Sequence, residues 1–160
     1  ASCKDYEKIK KIRSCNFSFK NSQPRPKYRI NFKMKKIIST DNAPSAIGTY
    51  SQAILANDFL FISGQIPLDP EKMELVEGID NQIRMVFKNI KEILKEANMS
   101  YSNIIKLTIL LDNLENFEKV NEIMGQLFDK PYPARAAYEV AKLPKNSSIE
   151  IETIAYQGSE

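Results

Sequence analysis

The chain has 160 residues, 42% of them hydrophobic, enough for one core and one domain with an appendage. It contains no histidine, and its two cysteines, Cys3 and Cys15, both lie near the N-terminus, which excludes a Cys/His metal set or a histidine base from the rest of the chain. The net charge of +3 hides an uneven split: residues 1–33 hold ten Lys or Arg against Asp5 and Glu7, whereas residues 34–160 hold thirteen basic and eighteen acidic residues.

Residues 1–33 combine Lys, Asn and Ser with Pro24 and Pro26 and show no sustained apolar period, so they read as a basic, disordered or extended N-terminal extension. Residue 1 is not Met, and a longer precursor is one expectation. The tail is compatible with the remnant of a targeting segment, an RNA-contacting arm or an extension without a role. The compartment follows that choice: cytoplasmic, or an organelle if the tail is a targeting remnant. Two cysteines in such a tail make no disulfide framework, and a reducing compartment is the default. No apolar run approaches the ~20 residues needed to span a bilayer, so no membrane partner is expected.

A single domain is expected over residues 34–160. Lys36–Ser39 reads as a short first strand, followed by loop chemistry from Ala43 to Thr49. Tyr50–Ala56 and Phe59–Ser63 read as two strands around the turn-favouring pair Asn57-Asp58, and Gly64, Pro67 and Pro70 then mark a loop. Ile79, Ile83, Val86, Phe87, Ile90, Ile93, Leu94 and Ala97 recur at helical spacing with charged residues between them, which predicts an amphipathic helix over Ile79–Ala97. Ile104–Leu111 is apolar enough for a buried strand. Phe117, Val120, Ile123, Met124, Leu127 and Phe128 give a second amphipathic helix, and Ala136–Ala141 and Ile149–Tyr156 the last two strands.

The order β-β-β-α-β-α-β-β favours right-handed crossovers that place both helices on one face of a single six-stranded mixed sheet, an α+β architecture. No third layer remains in the sequence to cover the other face. A second copy of the chain is its natural cover, which predicts a homo-oligomer.

Few residues can carry chemistry. Only two of the thirteen basic residues in 34–160 are arginine, Arg84 and Arg135. Arg84 falls among helix positions and reads as a solvated face. Arg135 follows Pro133 and has alanine at 134, 136 and 137, so its guanidinium has room beside it; the planar fork suits a carboxylate. A structural ion pair is the alternative reading. Glu150 and Glu152 share one face of the last strand, where a carboxylate can orient and deprotonate water or form an ordinary ion pair with lysine. Tyr50 can bond or stack at a site or serve as a plain strand residue. Ser63-Gly64-Gln65 offers backbone unobstructed by a side chain at Gly64. No loop has the spacing of a calcium site, so no metal is expected. If the last two strands form a hairpin, Arg135 faces about Ala155, and Glu150 lies some 17 Å further along. The two groups could then share a site only between subunits.

Jointly, Ala43-Pro44-Ser45-Ala46-Ile47-Gly48-Thr49-Tyr50-Ser51-Gln52, Ile62-Ser63-Gly64-Gln65-Ile66-Pro67, Pro133-Ala134-Arg135, Glu139-Val140-Ala141-Lys142-Leu143-Pro144 and Ile149-Glu150-Ile151-Glu152 resemble the YjgF/RidA family, also labelled L-PSP endoribonucleases. The resemblance is collinear from about Met34 to Tyr156. It implies a chorismate-mutase-like fold, a homotrimer with clefts between subunits, and cofactor-free hydrolysis of 2-imino or 2-enamino acids such as 2-aminoacrylate to 2-keto acids and ammonia. By position it implies that Arg135 holds the substrate carboxylate, that Glu150 positions or activates water, and that Tyr50, Ser63, Gly64 and Ala137 line the cleft. The chain departs from the pattern at Thr49 and Ala137, where many members have proline and cysteine, and at Leu110 and Glu115, where an aromatic and an asparagine are common. Two other readings stand beside the deaminase: an RNA-binding or RNA-cleaving protein gripping phosphates with the basic tail, and a non-catalytic trimer that binds small carboxylates.

Overall fold

The computed structural model describes residues 35–158, and the basic extension over 1–33 lies outside the described residues. The element order matches the expectation: β1 (Lys36–Ile38), β2 (Ala53–Ala56), β3 (Phe59–Gln65), α1 (Ile79–Glu96), β4 (Ile104–Leu111), α2 (Phe117–Leu127), β5 (Ala134–Glu139) and β6 (Ile149–Tyr156). One sheet holds the six strands in the order β1-β2-β3-β6-β4-β5, in which only β4 and β5 run parallel.

The core lies between one sheet face and the two helices. Alternation along β4 turns Leu107, Ile109 and Leu111 inward, and β6 adds Ile149, Ile151 and Ala155. The helices meet them with Ile83, Val86, Phe87, Ile90, Ile93 and Leu94 from α1 and Val120, Ile123 and Met124 from α2. Phe87 sits at the centre, edge-on to Phe128 with ring centroids 5.5 Å apart. Arg84, read as solvated, is exposed and donates from Nη2 to Gln126 Oε1 at 2.7 Å, tying α1 to α2. The other sheet face carries Phe59, Phe61, Tyr138 and Tyr156, all exposed within the protomer. Among the described residues no helix is long and apolar enough to cross a membrane.

Some strand bounds differ from expectation, and the conditional hairpin does not form; the third strand runs past Ser63, through Gly64, to Gln65. The second strand begins at Ala53 rather than Tyr50. Gln52 is buried, and its side-chain amide donates to the carbonyls of Thr40, Ala43 and Pro44 while its Oε1 accepts from Thr40 N–H; these bonds hold residues 50–52 in a loop. The fifth strand starts two residues earlier than expected, at Ala134, because it pairs in parallel with Lys106–Leu111. The last two strands form no hairpin, since β4 lies between them. The connection passes over the end of β4: Val140 N–H bonds Leu111 O, and Asp112 N–H bonds Ser148 O.

Phe87→Ala should lower the free energy of unfolding by about 3–5 kcal/mol, because it empties the middle of a closed core. Denaturant unfolding of the variant measures this, and a loss under about 1 kcal/mol would contradict the central placement.

Candidate active site

Tyr50, Ser63, Gly64 and Glu150 come together in one cavity of about 500 Å³, with Ile47, Ile66, Pro144, Lys145 and Glu152. The fold builds this cavity from a break in the sheet. Ile62 pairs with Thr153 but Gln65 with Ile151, so β3 carries an extra residue at Ser63-Gly64. Such a bulge re-aims the backbone at a strand end. Ser63 is fixed by Oγ donating to Ser51 O at 2.7 Å and by its N–H bonding Gln52 O at 3.0 Å. The Tyr50 hydroxyl accepts from Ile47 N–H at 3.1 Å, folding the loop back over the cavity mouth.

Gly64 leaves the space that the Glu150 carboxylate occupies. A Cβ built there would lie 1.8 Å from Glu150 Oε1 and 2.8 Å from its Cδ. The carboxylate therefore lies directly against the glycine backbone, half-buried. Burial, and then the charge of Glu152 on the same strand face, push the Glu150 carboxyl above the usual carboxylate range. Lys145 closes the rim from a left-handed backbone conformation (φ 55°) and donates Nζ to Met73 O at 3.2 Å.

Arg135 lies elsewhere. It pairs with Leu107 in the register of β4, on the sheet face that the helices cover, whereas Glu150 pairs with Leu110 on the opposite face. Across β4 Arg135 aligns with Thr153, not with Ala155, and Glu150 is three residues further on. At strand spacing the two Cα atoms are about 14 Å apart, with side chains pointing to opposite faces. One protomer does not bring them together.

Among the described residues no carboxylate pairs with Arg135. Its guanidinium lies over the Phe117 ring, 4.9 Å from the centroid, and Nη1 contacts Met124 Sδ at 3.3 Å. A cavity of about 400 Å³ opens beside it, lined also by Asn121, Gly125, Tyr132 and Pro133. Ala137 shares this strand face, two residues along, and packs against the core. Sequence reasoning missed Phe117 and Met124 as partners of Arg135 because both fit the core stripe of α2. It also missed Lys145, which looked like ordinary loop. Leu110 stands beside Glu150 and Tyr138 in register, and Glu115 is exposed in the turn before α2, where its N–H bonds Asn113 Oδ1 at 2.8 Å. Among the described residues no group of three His, Cys, Asp or Glu is placed to hold a metal ion.

A mixed sheet with two helices on one face, a bulge under a half-buried glutamate and an edge-strand arginine that pairs with no carboxylate among the described residues define a protein of chorismate-mutase-like fold. The family model described as Endoribonuclease L-PSP matches residues 40–157, and the chain belongs to this YjgF/RidA family. It is 48% identical over 126 residues to a human protein named 2-iminobutanoate/2-iminopropanoate deaminase, covering 78% of this chain and 92% of that one. The crystal structure of RidA from the Antarctic bacterium Psychrobacter superposes with a TM-score of 0.75 at 46% identity, covering 76% of this chain and 99% of that one. Escherichia coli TdcF, solved with bound serine, gives a TM-score of 0.74 at 40% identity, over 77% and 99% of the two chains.

The raised carboxyl of Glu150 has a consequence for stability. Below the ordinary glutamate range both folded and unfolded chains hold the proton. As pH rises through that range the unfolded chain releases it first, so stability falls between the ordinary value and the raised value of Glu150 and stays lowered above it. Glu150→Gln should flatten this part of the stability-versus-pH curve, and Glu152→Gln should bring the Glu150 titration down, as followed by carbon NMR of the side-chain carboxyl. A Glu150 titration unmoved by Glu152→Gln would show that the two carboxylates do not interact.

Proposed function

We propose that the protein is a cofactor-independent hydrolase of reactive 2-imino and 2-enamino acids, 2-aminoacrylate among them, releasing 2-keto acids and ammonia. The observation that carries this reading is Arg135: a guanidinium on an edge strand, without a carboxylate partner among the described residues and with an open cavity beside it. Two parallel hydrogen bonds from that fork suit the carboxylate of a small acid. The deaminase name of the human relative, at 48% identity, supports the same substrate class.

The site is built between copies of the chain. Arg135 and Glu150 lie too far apart in one protomer, and the exposed aromatic sheet face offers a surface for a homotrimer. Arg135 of one protomer then holds the substrate carboxylate, while Glu150 of a neighbour orients a water molecule. Water adds to C2 of the iminium as Glu150 accepts its proton. Glu150 returns that proton to the amino nitrogen of the carbinolamine and takes the hydroxyl proton as the C–N bond breaks, so that ammonia leaves and a 2-keto acid forms. The proton left on Glu150 then goes to ammonia or solvent. An enamine first takes a proton at C3. The raised carboxyl of Glu150 brings its proton affinity nearer the working pH, which suits a group that must both take and return a proton. Tyr50, Ser63 and Gly64 shape the wall around the water, and Ala137 leaves room beside Arg135. Acid–base help of ~10²–10⁴ is adequate for an imine, which hydrolyses readily in water.

The family description keeps an RNA-directed reading open for comparison. Residues 34–160 carry an acidic excess and no histidine, which gives RNA neither a basic track nor the usual base for the ribose 2′-hydroxyl. Binding of small carboxylates without turnover is the third reading.

A PLP-dependent threonine or serine dehydratase that generates the enamine, with keto-acid release followed over time, separates the three. The protein should accelerate release over buffer, and Arg135→Ala should lower kcat/KM roughly 100- to 1,000-fold, the cost of two charge-assisted hydrogen bonds. No acceleration by the purified protein sinks the deaminase. RNA cleavage by a chain lacking residues 1–33 that survives Arg135→Ala would favour the RNA reading.

Mixing inactive Arg135→Ala and Glu150→Ala chains in equal amounts tests the shared site. Each mixed trimer regains one intact site, so random exchange should restore about a quarter of the wild-type sites. Hybrids that stay inactive although exchange is shown by mass spectrometry would mean that the two residues do not meet across an interface.

A further inference from the structure

Arg135 must be held still without being neutralised, and α2 supplies the means. Phe117 is the first residue of that helix and Met124 comes seven residues later, two turns on, so both project from the same side. The guanidinium carbon lies 4.9 Å from the centre of the Phe117 ring, and Nη1 meets the Met124 sulfur at 3.3 Å. An aromatic face attracts a cation through its quadrupole yet carries no net charge, and a thioether is a weak acceptor. Met124 is buried, so its sulfur has little freedom to move away. Asp or Glu at either position would instead make an internal ion pair and occupy the fork.

We infer that Phe117 and Met124 form an uncharged cradle that sets the direction of the Arg135 fork and leaves its charge available to an incoming carboxylate. The inference rests on the reading of Arg135 as the carboxylate clamp. Met124 and Arg135 both line the cavity, whereas Phe117 does not. Phe117 is therefore a positioning residue that acts through Arg135. A grip on the carboxylate is the same in ground and transition states, so loosening it moves KM and leaves kcat in place.

The test uses the full chain in the dehydratase-coupled assay, with calorimetric binding of 2-oxobutanoate as a second readout. Phe117→Leu should raise KM and the Kd for 2-oxobutanoate roughly three- to thirty-fold with kcat held within about twofold. Phe117→Tyr, which keeps a ring face, should bring KM most of the way back. Met124→Glu should weaken 2-oxobutanoate binding at least about tenfold more than Met124→Gln, because only the glutamate can pair with the fork. A folded Phe117→Leu protein with wild-type KM and Kd, or one that loses kcat at constant KM, overturns the cradle. If Phe117→Leu does not fold, equal effects of Met124→Glu and Met124→Gln overturn it. If the wild-type protein hydrolyses no imine, the deaminase reading fails while the cradle is still judged by the Kd values. If the wild-type protein also binds no 2-oxobutanoate, both fail.

Discussion

The contact between the Glu150 carboxylate and the backbone of Gly64 organises the site around it. A methyl group at position 64 would overlap Oε1, so the carboxylate would have to swing out of this position beside any residue with a side chain. That placement in turn needs the bulge in β3, which sets Ser63-Gly64 off the regular ladder, and the register of β6, which sends Glu150 to the face away from the helices. Ser63 and Gln52 then fix the loop that carries Tyr50. One close approach thus links an interruption of regular pairing to the position of an ionisable group. It also explains why that group is half-buried, and so why its proton is held more tightly than in water.

The arginine is governed by a different constraint. β5 is an edge strand with β4 as its one neighbour in the sheet, and at Arg135 the helix-facing side of that strand meets α2. A cation placed at the margin of an apolar layer has to find a partner or keep access to water. Arg135 finds an aromatic face and a thioether, neither of which carries a net charge. The side chain also borders a cavity. Among the described residues the charge is thus held in place without a carboxylate on its fork.

Much of this was legible in the sequence because it is local. The stripe from Ile79 to Ala97 located α1 to within a residue, and the element order followed from periods of two and 3.6. The motifs around Tyr50, Ser63-Gly64, Arg135 and Glu150 were visible as short runs of unusual composition. Long-range pairing was not. Nothing in the local pattern of Ile149–Tyr156 says that it inserts between β3 and β4 instead of folding back on β5, since a buried central strand looks apolar and alternating in either arrangement. Gln52 reads as an ordinary polar strand residue until its amide is seen to satisfy three carbonyls of a loop eight to twelve residues earlier. The face of Arg135 was hidden for a related reason: alanines at 134, 136 and 137 give the strand no apolar alternation from which a side could be read.

That hidden register has a chemical consequence. Had the last two strands formed a hairpin, only distance along the strand would have separated Arg135 from Glu150. In the folded chain they also stand on opposite sides of the sheet, with the width of β4 between them. Their Cα atoms stand about 14 Å apart and the side chains point to opposite faces, so the two charged groups are not in contact. This separation preserves both groups. An arginine within reach would pull the Glu150 carboxyl down toward full ionisation, and the same ion pair would occupy the guanidinium fork. The strand order alone thus keeps the two charges from neutralising each other within one chain: β4 lies between β5 and β6, and the register turns Arg135 and Glu150 to opposite faces.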